Sequence, residues 1–102
     1  MSTVVDEWGF TYLKLDFLFA AALPGERYDA EATRIEAYRR GVEAIAEAAG
    51  DDVFLLGCGA PMAPSVGLLD AMRIGPDTDP TWETPGESGS QPGLKNAVRN
   101  TL

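Results

Sequence analysis

Apolar and polar positions alternate along residues 10–17 (FTYLKLDF). Thr11, Leu13, Leu15 and Phe17 fall on one face, and Phe10, Tyr12, Lys14 and Asp16 on the other. A period of two with aromatic enrichment predicts a strand, punctuated at its start by Trp8-Gly9. After a short apolar stretch, Pro24-Gly25 marks a turn. The period then changes. Ile35, Tyr38, Val42, Ile45 and Ala49 recur every three or four residues, which predicts an amphipathic helix over 30–49 with one apolar stripe. Asp29 is its expected N-cap, with Glu31 in the first turn, and Gly50 its stop. Glu36 with Arg40, and Arg39 with Glu43, have the i,i+4 spacing of helix-surface ion pairs.

Residues 53–60 (VFLLGCGA) are apolar without alternation, as in a buried parallel strand that ends in Gly57-Cys58-Gly59. A third strand is expected over 70–75. Only residues 61–69 separate it from the second. That is short for a crossover, which usually takes about 10–12 residues, so at most one helical turn fits. Residues 78–93, rich in Pro, Gly and Ser, read as a loop. Residues 94–102 open another helix, with Leu94, Val98 and Leu102 four apart. The expectation is an α/β fold: parallel strands in the order one, two, three, with one long helix on a face. Three such strands cannot close a barrel. The chain is therefore expected to be one piece of a larger barrel or open sheet rather than a complete domain.

Composition narrows the chemistry. Among 102 residues there are 16 Asp and Glu, 8 Lys and Arg, one Cys and no His. Without His there is no imidazole base and no ordinary zinc site; one Cys allows neither an internal disulfide nor a thiolate cluster. The net charge of −8 argues against nucleic acid and anionic membranes as partners. No segment has the ~20 apolar residues of a membrane span. The first seven residues lack the basic start of a secretory signal, so the cytoplasm is the expected location.

In parallel α/β folds, chemistry gathers at the C-terminal strand ends. Lys14 and Asp16 end strand one, Gly57-Cys58-Gly59 strand two, and Arg73 and Asp77 strand three. Lys14 and Asp16 are either a buried pair bracing the sheet or a carboxylate kept ionised as a nucleophile. Asp77 is either a loop or capping residue or a second catalytic carboxylate. Asp77 and Asp79 together form only a weak magnesium signal. Cys58 between glycines suits a place of close approach. Two carboxylates at separate strand ends, each beside a cation, fit retaining glycoside hydrolysis, which requires neither His nor metal.

The segments WGFTYLKLDFLFAAALPGERYD, FLLGCGAP and DAMRIGPDTDPTW, in this order, closely resemble the catalytic barrel of the glycoside hydrolase family 36 alpha-galactosidases (melibiases) over residues 8–102. The resemblance implies a partial (β/α)8 TIM barrel and a retaining hydrolase of terminal alpha-galactosides that uses no cofactor. It further implies Asp16 as nucleophile and Asp77 as general acid/base. Lys14, Cys58 and Arg73 would contact the galactose. The rest of the family's pocket lies outside these residues, so the chain alone is expected to be inactive. Galactosyl transfer of the raffinose-synthase type on the same scaffold is an alternative. A non-catalytic α/β binding module is another, although Leu18-Phe19-Ala20-Ala21-Ala22 does not form the phosphate-cradling loop such a module would carry after strand one.

Overall fold

In the computed structural model, which describes residues 2–82 and 92–101, the alternating segment forms β1 (Tyr12–Leu15). A helix α1 (Arg34–Ala49), strand β2 (Phe54–Gly57), one-turn helix α2 (Met62–Ser65), strand β3 (Ala71–Met72) and helix α3 (Leu94–Thr101) follow. The strands form one parallel sheet in the order β1-β2-β3, as the pattern predicts. Each strand is shorter than its apolar segment, yet the pairing continues past the ends. The Phe54 amide donates to the Thr11 carbonyl at 2.8 Å, and the Cys58 amide to the Leu15 carbonyl at 2.8 Å. Two elements have no periodic signal in the sequence: a π-helical turn (Thr3–Glu7) and a 3-10 turn (Leu18–Ala22).

The two faces of β1 divide as the alternation requires. Leu13 and Leu15 are half-buried, whereas Tyr12 and Lys14 are exposed. Leu13 packs with Leu55, Val53, Ala46, Ala49, Leu69 and Val5 in the core between α1 and the sheet. On the opposite face, Tyr12 lies directly across from Phe54, the rings stacked at 5.3 Å and 7°. Phe54 is exposed, so β2 is covered on one face only, contrary to its fully apolar pattern.

Helix α1 starts four residues later than the stripe suggests. Its N-cap is Thr33, not Asp29. The Thr33 side chain accepts from the Glu36 amide at 3.2 Å, and Glu36 accepts from the Thr33 amide at 2.8 Å. This reciprocal box satisfies two otherwise orphaned N–H groups and outcompetes a single aspartate upstream. Asp29 instead accepts from the Glu31 amide and pairs with Arg40 at 2.7 Å. The expected Arg39–Glu43 pair forms at 3.6 Å. Along the stripe, Tyr38, Val42 and Ala49 are buried and Ile45 half-buried. Ile35, in the first turn, is exposed. Gly50, at φ 81°, ends the helix.

The link between β2 and β3 holds the single turn α2, as its length requires. It is tied to α1 by a buried pair. Ser65 Oγ donates to the Pro61 carbonyl at 2.7 Å and so accepts from Tyr38 Oη at 2.6 Å. Arg39 adds a 2.7 Å bond to the Pro64 carbonyl. Helix α3 follows from residue 94; its first amides, Leu94 and Lys95, donate to the carbonyls of Thr81 and Trp82. Most of the expected loop and the last stripe residue, Leu102, lie outside the described residues. Among the described residues, no helix is long and apolar enough to cross a membrane.

The radius of gyration is 15.9 Å, against about 13 Å for a compact domain of 100 residues. The extents of 40 × 36 × 21 Å describe a flat slab. Trp8, Phe10, Tyr12, Phe17, Phe19 and Phe54 all remain exposed.

Candidate active site

The chain leaves β1 through an unusual turn. Immediately after Asp16, Phe17 adopts φ 54°, ψ 32°, the left-handed region, the only non-glycine residue among those described to do so. That conformation is normally costly for a side chain with a Cβ. Here it turns the Phe17 amide back onto Asp16 Oδ1 at 2.9 Å. Asp16 Oδ2 faces Lys14 Nζ at 3.3 Å. The side chains are 46% and 43% exposed, so this is a solvent-facing pair and not the buried brace that the sequence also allowed.

The end of β2 supports this turn from below. Cys58 donates its amide to Leu15 and accepts from the Leu18 amide at 3.2 Å, and Gly59 accepts from the Phe19 amide at 2.8 Å. The two glycines are explained by the chain's own close packing. A Cβ on Gly57 would lie 2.5 Å from Leu69 Cδ1. Gly59, at φ 58°, lies against Phe17 and Phe19. Cys58 has no exposed surface at all.

At the end of β3, Arg73 Nη1 donates to Asp77 Oδ1 at 2.6 Å, and the Arg73 amide donates to the Gly57 carbonyl at 2.8 Å. Asp77 caps no helix; its own carbonyl accepts from the Gly93 amide at 3.2 Å. Among the described residues, no group of three or more His, Cys, Asp or Glu side chains gathers for a metal ion, and Asp77 pairs with Arg73.

The two pairs share one open cavity of about 510 Å³. Lys14, Asp16, Arg73 and Asp77 all line it, with Phe17 and Phe19 as an apolar wall. Of the five residues singled out from the sequence, four therefore meet on one wall; the fifth, Cys58, lies behind Asp16. Phe17, Phe19 and, from α3, Asn100 join the lining without a signal in the sequence. A left-handed Phe runs against local preference, and α3 is brought here only by the fold.

The Asp16 carboxyl is held below the usual carboxylate range. The Cys58 thiol beside it contributes most, followed by the Phe17 amide; partial desolvation opposes them, and Lys14 adds the smallest contributions. The Cys58 thiol is correspondingly pushed up, first by burial and then by the carboxylate beside it, with Arg73 opposing. Asp16 is thus an ionised, partly exposed carboxylate held by the Phe17 amide and Lys14. Asp77 is a second carboxylate in the same cavity, paired with Arg73.

No family model matches the sequence. Solved structures do match it, two alpha-galactosidases among them. An alpha-galactosidase from Thermus thermophilus in complex with stachyose is 45% identical over 99% of this chain and 22% of its own, with a TM-score of 0.81. An alpha-galactosidase from the same organism in complex with p-nitrophenyl alpha-D-galactopyranoside gives 45%, 98%, 20% and 0.81. The resemblance read from the sequence is borne out, and the three-stranded sheet matches part of those enzymes' barrel. The chain spans about a fifth of the length of these structures.

Proposed function

We propose that the protein containing this chain is a retaining alpha-galactosidase, and that this chain is the part of its catalytic barrel that carries both catalytic carboxylates. The observation that carries the reading is the single cavity lined by Asp16 and Asp77, each with its own cation. The 45% identity to enzymes solved with stachyose and with an aryl alpha-galactoside supports the substrate class.

In this reading the Asp16 carboxylate attacks the anomeric carbon, and the bond to the leaving oxygen breaks as Asp77 supplies its proton. Asp77 then takes a proton from water, which attacks the glycosyl–Asp16 ester and releases galactose with its configuration retained. The Phe17 amide and Lys14 on Asp16 favour its ionised form for the first step. Lys14 and Arg73 are placed to bind sugar hydroxyls. Arg73 now holds Oδ1 of Asp77 at 2.6 Å; protonation of Asp77 as the acid weakens that bond and frees Arg73 for the sugar.

The test uses a complete barrel containing this segment, assayed with p-nitrophenyl alpha-galactoside. Asp16→Gly should abolish turnover, with azide restoring it and giving the β-galactosyl azide. Asp77→Gly with azide should give the α-galactosyl azide. Exchange of the two products would reverse the roles, and full activity of Asp16→Gly would end the proposal.

A further inference from the structure

The cavity that holds both carboxylates does not end at Asp77. A second cavity of about 330 Å³ adjoins it, and residues 73–77 with Asn100 form the border common to both. Lys14 and Asp16 line only the first, whereas Thr78, Ala97 and Thr101 line only the second. The nucleophile therefore meets one cavity and the acid meets two. The second is within the size of small-molecule sites, about 300–1,000 Å³. Its border joins two elements, because residues 73–77 leave β3 and Asn100 reaches them from α3. Gly75 does not have a positive φ, so its conformation does not call for glycine. Space does: a Cβ there would sit 3.0 Å from Asn100 Nδ2. The Asn100 carboxamide thus lies close over the backbone that leads to Asp77. Among the described residues, neither this carboxamide nor the Thr78 hydroxyl has a hydrogen-bond partner.

Resting on the reading of Asp16 as nucleophile and Asp77 as acid, we propose that the second cavity is the subsite for the leaving group. That group is a sugar unit, and Asn100 binds its hydroxyls. The reaction fixes which side is which. Galactose lies against Asp16, and the departing oxygen lies at Asp77. Whatever hangs from that oxygen extends past Asp77, into the space that Asp16 does not reach. The lining selects a neutral polyhydroxyl ligand. Its charged residues, Arg73 and Asp77, already pair with each other. A carboxamide both donates and accepts, which matches a hydroxyl. Ile74, 53% exposed, and Pro76 offer apolar surface to the C–H face of a sugar ring. Among the described residues, no aromatic ring lines this cavity for an aryl group to stack on.

A complete barrel containing this segment is assayed with two substrates. One is melibiose, whose leaving group is glucose; the other is phenyl alpha-galactoside, whose leaving group carries no further hydroxyl. Asn100→Ala should lower kcat/KM for melibiose about three- to tenfold more than for the phenyl substrate, the effect of one lost hydrogen bond. Ala97→Leu, which narrows the second cavity from α3, should move the ratio of the two substrates in the same direction. An equal change for both substrates in both variants, or no change for either, overturns the proposal. If the unaltered barrel cleaves neither substrate, the enzyme reading fails and this one with it. If it cleaves both and the ratio does not move, this one alone fails. Asn100 is exposed, so its truncation should leave the fold intact. Should it not, Ala97→Leu and Thr78→Val decide by the same ratio.

Discussion

Phe17 and Tyr38 show how differently a single residue can matter here. Phe17 is exposed and stacks edge-on with Phe19 at 6.1 Å, so its side chain contributes little burial. Its backbone conformation is the expensive part. Phe17→Gly should leave stability within about 1 kcal/mol, because relief of strain offsets the added freedom of the unfolded chain. Phe17→Val, β-branched at positive φ, should cost more, about 1–2 kcal/mol; urea midpoints compare the two. Tyr38 is 1% exposed and donates to Ser65. Tyr38→Phe removes that donor but leaves Ser65 bonded to Pro61. The expected loss is about 1 kcal/mol, within the usual range for one hydrogen bond.

At the scale of elements, α1 depends on its first turn. Thr33→Ala breaks the reciprocal box and should cost about 1 kcal/mol, read from helical circular dichroism during urea unfolding. The same turn gives the fold an acid limit. Asp29 is held below the usual range chiefly by Arg40, and Glu36 chiefly by the Thr33 amide. Both carboxyls have lower values folded than unfolded, so their contribution is complete above the unfolded values of about 4. It is lost as pH falls through the lowered folded values. Asp16 acts in the same sense. Urea midpoints should therefore be flat from pH 7 to about 5 and fall steadily below about 4. Between β2 and β3, the element-level constraint is Leu69 against Gly57. A methyl there would push Leu69 Cδ1 aside and crowd Ala60 Cβ at 3.2 Å, so Gly57→Ala should cost about 1 kcal/mol by overpacking.

For the molecule as a whole, the flat shape and the exposed aromatics decide what this chain does alone. Among the described residues, both outer edges of the sheet lack a paired strand, and Tyr12, Phe54 and Phe10 face solvent. An open wet cavity screens the Asp16 and Asp77 charges and positions a sugar poorly. The isolated chain should therefore hydrolyse p-nitrophenyl alpha-galactoside negligibly. Turnover near that of a complete barrel, lost in Asp16→Ala, would show that these residues suffice. The exposed face should also bind the dye ANS strongly, and association should grow with concentration despite the net charge of −8.

The parallel order β1-β2-β3, the long helix, the one-turn link and the Lys14–Asp16 and Arg73–Asp77 partnerships were all legible in the sequence. Period two places Lys14 and Asp16 on one face wherever that strand lies, and a nine-residue link admits little besides a single turn. The resemblance added the meaning of the carboxylates, which spacing left open. What the sequence misplaced was local competition: Asp29 is a good cap by type, but Thr33 with Glu36 satisfies two amides where Asp29 would satisfy one. What it could not contain was contact at a distance. Phe17 is left-handed because Cys58, more than 40 positions away, anchors the chain on both sides of it. Gly57 and Gly59 are small because Leu69, Phe17 and Phe19 press on them. Cys58 sits behind Asp16, away from solvent, because the parallel register sets Leu15 beside Gly57 and so brings the next residue of each strand together. Periodicity reports which way a side chain points along its own strand; only the pairing of strands decides what it meets.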